Sequence, residues 1–142
     1  MKIIAFLFTA FISLQMSGQE KFPDGTPIPD WFRQNEIVNI DTLGKKYTIT
    51  DYGVANDSTI LQTEKIQAVI DRAAENGGGV IIIPKGTFLS GSIFFKPKTH
   101  LYMEEGAVLK GSDDISNFAI VNSRIEGQSL KYFAALVNAY KV

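Results

Sequence analysis

The feature that most restricts the fold is a succession of very short apolar runs with no helix between them. Val80-Ile81-Ile82-Ile83 stops at Pro84, Thr87-Phe88-Leu89 at Ser90-Gly91, Ile93-Phe94-Phe95 at Lys96-Pro97, Leu101-Tyr102-Met103 at Glu104-Glu105-Gly106, and Val108-Leu109 at Gly111. Each is strand-like, rich in β-branched or aromatic residues and ended by Gly or Pro. A doubly wound α/β fold needs a crossover helix between its parallel strands, so it is disfavoured. A small antiparallel sandwich and a solenoid, in which each short strand is one side of a coil, both remain. The stretch contains no Asn-Gly or Asp-Gly two-residue turn, which favours the solenoid.

The segment before these runs predicts one strand and one helix. Tyr47-Thr48-Ile49-Thr50 reads as a strand ended by Asp51-Tyr52-Gly53. Ile66, Val69, Ile70, Ala73 and Ala74 then form a single apolar stripe at helical spacing, with Glu64, Lys65, Gln67, Asp71, Arg72 and Glu75 on the opposite face. Asp57, Ser58 or Thr59 is the expected cap of that helix, and Asn76-Gly77 supplies the left-handed residue at its end. Gly77-Gly78-Gly79 follows a helix, not a strand, so it reads as a tight turn and not as a phosphate cradle. Past Asp113 the chain is polar and then turns apolar from Phe133 to Val142, a strand-like run with no polar cap behind it, so the solenoid is expected to be truncated there.

At the other end, Lys2 precedes the apolar run Ile3 to Leu14, and Ser17-Gly18 offers small residues for cleavage, the pattern of a secretory signal peptide over 1–18. The run is shorter than the roughly 20 residues that span a bilayer, so no membrane association is expected after cleavage, and the location is secreted or periplasmic. Residues 19–46 form a leader in which Pro23, Pro27 and Pro29 prevent regular helix and central strand, with Phe22, Trp31 and Phe32 as its apolar anchors. The chain has no Cys and one His, which excludes thiolate chemistry and any site needing two histidines. With 14 Lys and Arg against 15 Asp and Glu, it offers no polycationic surface, and nucleic acid is not an expected partner. No cofactor or metal is expected.

The sequence resembles glycoside hydrolase family 28, the polygalacturonase family of the pectate-lyase-like right-handed parallel β-helix superfamily. The elements that carry the resemblance are Ile49-Thr50-Asp51-Tyr52-Gly53-Val54, the helix Thr63 to Asp71, Gly77-Gly78-Gly79, Val80 to Phe88 and Gly106-Ala107-Val108-Leu109-Lys110-Gly111-Ser112, in that order. The leader from Phe22 to Phe32 also looks like that of secreted bacterial members. The resemblance implies an all-β solenoid over 47–142, the N-terminal cap and first coils of a right-handed parallel β-helix, with the amphipathic helix lying over its mouth. It implies inverting hydrolysis of α-1,4-galacturonosyl linkages, with polygalacturonate or rhamnogalacturonan oligosaccharides as partners. Inverting glycosidases use two carboxyl groups roughly 6.5–9.5 Å apart.

The family's catalytic signature of Asn-X-Asp, Asp-Asp, Gly-His-Gly and Arg-X-Lys has no counterpart among the 142 residues. No catalytic residue is therefore assigned, and the chain alone is expected to be inactive. Asp113-Asp114 reads as a solvated turn that opens a helical stretch at Ile115, and His100 as a strand-end residue. Trp31, Tyr102 and Tyr132 could stack on sugars but fit packing roles better. Arg124, in Ser123-Arg124-Ile125-Glu126-Gly127, is the one candidate substrate-binding residue, because a guanidinium can pair bidentately with a uronate carboxylate. The competing role for Arg124 is an ion pair with Glu126 or a plain surface loop position. Two other functions fit the same pattern: a non-enzymatic β-solenoid carbohydrate-binding or adhesin-like module, and a pectate lyase or epimerase of the superfamily.

Overall fold

The structure is a computed structural model and describes residues 21–33 and 38–139, so the signal segment 1–18 lies outside the described residues. The chain divides into two units after residue 37. In the first, Asp24 accepts hydrogen bonds from the amide and hydroxyl of Thr26 (2.9 and 2.7 Å), closing a turn across which Lys21 bridges Pro27. Its aromatic anchors pack on one another: Phe32 meets Phe22 edge-on at 5.5 Å, and its ring centroid lies 3.8 Å from that of Trp31.

The second unit is built of parallel strands on three sides of a coil. Strands β1 (Lys46–Thr48), β2 (Gly79–Ile83) and β5 (Thr99–Met103) form one parallel sheet in the order β1-β2-β5. Strands β3 (Gly86–Ser90) and β6 (Ala107–Gly111) form the second parallel pair, and β4 (Ile93–Phe95) and β9 (Val137–Ala139) the third. Chain order runs once round the three sides as β2, β3, β4 and again as β5, β6, β9. The solenoid, not the antiparallel sandwich, is the arrangement of these strands. In-register stacking puts like positions above one another, giving the ladders Tyr47–Ile81–Leu101, Phe88–Leu109 and Ile93–Val137. Tyr47, Ile81, Phe88 and Ile93 are fully buried in one apolar cluster.

Helix α1 (Thr63–Glu75) contributes Ile66, Val69, Ile70 and Ala73 to that same cluster, four residues of the predicted stripe. Its polar face also reaches the sheet. The Gln67 amide donates to the Phe94 carbonyl (3.0 Å) and accepts from the Phe94 amide (2.8 Å), so one side chain pairs with β4 as a neighbouring strand would. Thr63 Oγ1 accepts from the Gly91 amide at 2.7 Å, and Asp71 pairs with Lys96 at 2.8 Å. Thus α1 covers β4 on the side opposite β9.

The helix starts later than expected. Asp57 accepts from the Thr59 amide and hydroxyl (2.7 and 2.6 Å), a local turn four residues before α1. Residues between are engaged elsewhere: Leu61 bridges Leu89 in parallel, the Gln62 amide donates to the Leu89 carbonyl, and the Gln62 side chain donates to Ala55. Gln62 becomes the N-cap position without a capping side-chain bond. The predicted strand from Tyr47 to Thr50 is shorter too, because Ile49–Tyr52 is a 3-10 turn closed by left-handed Gly53. At the far end of α1 the glycine turn behaves as expected. Gly77, Gly78 and Gly79 all have positive φ, and a Cβ on Gly78 would strike the Lys98 backbone.

One element departs from a plain coil. Residues β7 (Ile120–Ile125) and β8 (Gln128–Phe133) form an antiparallel hairpin joined by Glu126-Gly127, both with positive φ, as a two-residue I′ turn requires. The register offset is 20 residues from Gly79 to Thr99 and 21 from Gly86 to Ala107, but 44 from Ile93 to Val137. The excess of about one coil's length is this hairpin with its flanks, inserted between β6 and β9. The apolar run expected from Phe133 is correspondingly split: Phe133 closes β8, and the third side resumes only at Val137.

Candidate ligand-binding hairpin

The inserted hairpin leaves the coil through a fixed base. Ser92, 6% exposed, accepts from the Ala119 amide (3.3 Å) and donates to the Ala134 carbonyl (3.4 Å), holding both stems with one hydroxyl. The Ala134 amide donates to the Ala119 carbonyl at 2.8 Å, which closes the base across the two stems. The Asn138 side chain adds a third staple, donating to Ile93 and Ala135 (3.1 and 2.7 Å) and accepting from the Ala135 amide (3.1 Å). The segment leading in lies so close to Gly91 that any Cβ there would collide with the Asn117 carbonyl.

Strand alternation gives the hairpin two unlike faces. Pairing of Asn122 with Lys131 and of Arg124 with Ser129 places these four polar residues on one face, with Ile120 and Phe133 at its base. Val121, Ser123, Ile125, Gln128, Leu130 and Tyr132 fall on the other. An open depression on the hairpin is lined by Asn122, Arg124, Ser129 and Lys131 of the polar face together with Ser123 and Leu130 of the other. Arg124 does not form the ion pair with Glu126; its Nε donates instead to the Gly127 carbonyl at 3.0 Å. Among the described residues, no acidic side chain lies within ion-pair distance of Arg124 or Lys131. The turn thus orients the guanidinium while leaving its terminal nitrogens available for a planar anion.

The remaining acidic and basic candidates are scattered. His100 is exposed on β5, opposite Val80 and next to Leu101 and Tyr102. Asp114 caps the 3-10 turn Ile115–Asn117, accepting from the Ser116 amide at 2.9 Å. The Ser116 hydroxyl and amide hold its carboxyl below the usual carboxylate range, the opposite of what a general acid needs. Asp71 is also lowered: burial opposes its ionisation, but hydrogen bonds from Lys96 and Gln67 and the Lys96 charge outweigh it. Both behave as structural carboxylates. Among the described residues, no three His, Asp or Glu side chains gather to hold a metal ion. Trp31 packs on Phe32, Tyr132 lies 5.8 Å from Phe133 on β8, and Tyr102 stands exposed on the outer strand β5.

The sequence singled out Arg124 but not Lys131, which lies on the same face, nor the hairpin that pairs their strands. The available signal was Glu126-Gly127 between two alternating runs; Glu is an uncommon residue at positive φ, so the turn did not announce itself.

The family model described as rhamnogalacturonase A/epimerase, pectate lyase-like, matches residues 47–140. An exo-poly-α-D-galacturonosidase of Dickeya chrysanthemi is 32% identical over 105 residues, 73% of this chain and 17% of that protein. A plasmin and fibronectin-binding protein A of Streptococcus pneumoniae is 38% identical over 85 residues, 58% of this chain and 12% of that protein. The solved family 28 exopolygalacturonase of Yersinia enterocolitica superposes with a TM-score of 0.62 at 28% identity, over 68% of this chain and 17% of that one. The chain therefore spans under a fifth of the length of these relatives.

Proposed function

The chain belongs to the rhamnogalacturonase A/epimerase, pectate lyase-like family and groups with family 28 exopolygalacturonases, and from this we propose that it is the N-terminal portion of a secreted or periplasmic pectin-degrading hydrolase. The observation that carries the reading is the match to an exo-poly-α-D-galacturonosidase across most of this chain. In this reading residues 1–18 direct export and 19–46 form a leader. Helix α1 closes the mouth of a right-handed parallel β-helix, using its apolar stripe to cover the first coil and Gln67 to satisfy the β4 edge, which would otherwise invite edge-to-edge pairing. Hydrolysis with inversion of α-1,4-galacturonosyl linkages belongs to residues of the whole protein outside this chain. Within the chain, Arg124 binds a uronate carboxylate.

The experiment is incubation of the purified 142-residue chain with polygalacturonate, with reducing ends and retention of the polymer measured in parallel. Retention without new reducing ends is the expected result. Release of reducing ends would overturn the assignment of catalysis to other residues, and failure to retain the polymer would overturn the pectic role.

The pneumococcal relative favours a second reading, a binding module without hydrolase activity. No helix among the described residues is long and apolar enough to cross a membrane. It predicts retention of a protein ligand and none of polygalacturonate.

A further inference from the structure

We infer that Lys131 is a second binding residue for the anion held by Arg124, so that the hairpin insertion carries a two-cation uronate subsite on its own polar face, outside the coil. The inference rests on the pectic reading above and adds to it a residue, a charge requirement and a place in the fold.

The register fixes the arrangement. Lys131 pairs with Asn122 and Arg124 with Ser129, so the two cations sit on one face as diagonal neighbours, a relation that separates residues by roughly 7–8 Å. Long side chains reach across that gap, and both line the same depression. Two like charges set diagonally on one face of a sheet repel, less than a directly opposite pair would, and no described acidic side chain offsets them. An anion between Arg124 and Lys131 relieves the repulsion. The Gly127 carbonyl holds Arg124 Nε, which leaves an end-on guanidinium face for a carboxylate. Asn122 and Ser129, beside the cations, supply an amide and a hydroxyl for the ring hydroxyls of a sugar. The ligand class is therefore an oligosaccharide with free carboxylates, bound in preference to a neutral or fully methyl-esterified chain. The staples at Ser92 and Asn138 fix the base of this face to the coil.

The test is a titration of the chain with trigalacturonate at low salt, using Arg124→Gln, Lys131→Gln and, as a control on another exposed cation, Lys110→Gln. An exposed ion pair is worth about a two- to fivefold change in affinity, so Arg124→Gln and Lys131→Gln should each weaken binding by that factor. Lys110→Gln and the parent should bind alike, and the methyl-esterified trisaccharide should bind about 4- to 25-fold more weakly, the product of the two cation contributions. Wild-type affinity in Lys131→Gln with weakened Arg124→Gln would overturn the two-cation subsite and leave the pectic reading standing. Equal weakening by Lys110→Gln would mean diffuse charge attraction and would also overturn it. No binding by the parent would overturn both. Unchanged amide spectra outside the hairpin in each variant distinguish lost contacts from lost folding.

Discussion

Replacing Gln67 by Met tests whether α1 covers β4 through hydrogen bonds or merely lies beside it. Met matches Gln in length, keeps a good helix former in place, and removes only the amide. Three hydrogen bonds disappear: two with the Phe94 backbone, at 3.0 and 2.8 Å, and one donated to Asp71 at 2.9 Å. Each neutral bond contributes about 1 kcal/mol net, and a stranded, partly buried Phe94 N–H adds about 1–3 kcal/mol. Water reaches Asp71, so its share is small. The sum is a loss of about 3–5 kcal/mol, or a fall of roughly 2.0–3.3 M in urea midpoint at a slope near 1.5 kcal/mol/M. Equilibrium urea unfolding followed by far-ultraviolet circular dichroism reads this directly. A further arm uses Gln67→Glu, which loses the donor to Phe94 and sets a second carboxylate one turn from Asp71. That variant should be more destabilised at pH 7 than at pH 4. If Gln67→Met unfolds within about 0.5 kcal/mol of the parent, a range typical of surface substitutions, the side chain does not stand in for a strand.

Gly91→Ala should destabilise by about 1–3 kcal/mol or more, the range for overpacking, because the new methyl collides with the Asn117 carbonyl; calorimetry should show a lowered Tm, and an unchanged Tm would contradict the hairpin base. Glu126→Asn should slow amide exchange in β8, since Asn tolerates the φ of 50° there better than Glu does; faster exchange would mean that the turn is not type I′. The Asp71 pKa is lowered on folding, so its contribution is fully present above the unfolded value of 3.8 and is lost as pH falls through the folded pKa. Lys96→Gln should therefore cost stability at pH 7, by under about 1 kcal/mol for so exposed a pair, and cost little at pH 2. A difference that instead grows on acidification would refute the sign.

The parallel coil was legible in part: short, closely punctuated strands with no helix between them disfavour a doubly wound fold, and the missing two-residue turns favour a solenoid over an antiparallel sandwich. Val80 to Ile83 and Ile93 to Phe95 occupy the strands expected of them, as does the helix stripe from Ile66 to Ala73. What escaped were features set by contacts between distant residues. The start of α1 is fixed by Leu61 and Gln62 reaching β3, an interaction 27 or 28 residues away that outweighs the local capping offered by Asp57. Ile49 leaves its strand because the chain must turn at Gly53. The hairpin was hidden for a related reason: its own turn is atypical, and only the return of β9 to β4 reveals that residues between them are an insertion. Arg124 was singled out by its segment and its guanidinium, whereas Lys131 joins it only once their strands are paired.

The most direct test of the whole account is an amide-resolved NMR titration of the chain with trigalacturonate. The account predicts shifts centred on Asn122, Arg124, Ser129 and Lys131, with the Arg124 Nε–H signal moving and the coil strands β2 to β4 silent. Shifts centred on the coil strands, or on His100 and Tyr102, with a silent hairpin would contradict it.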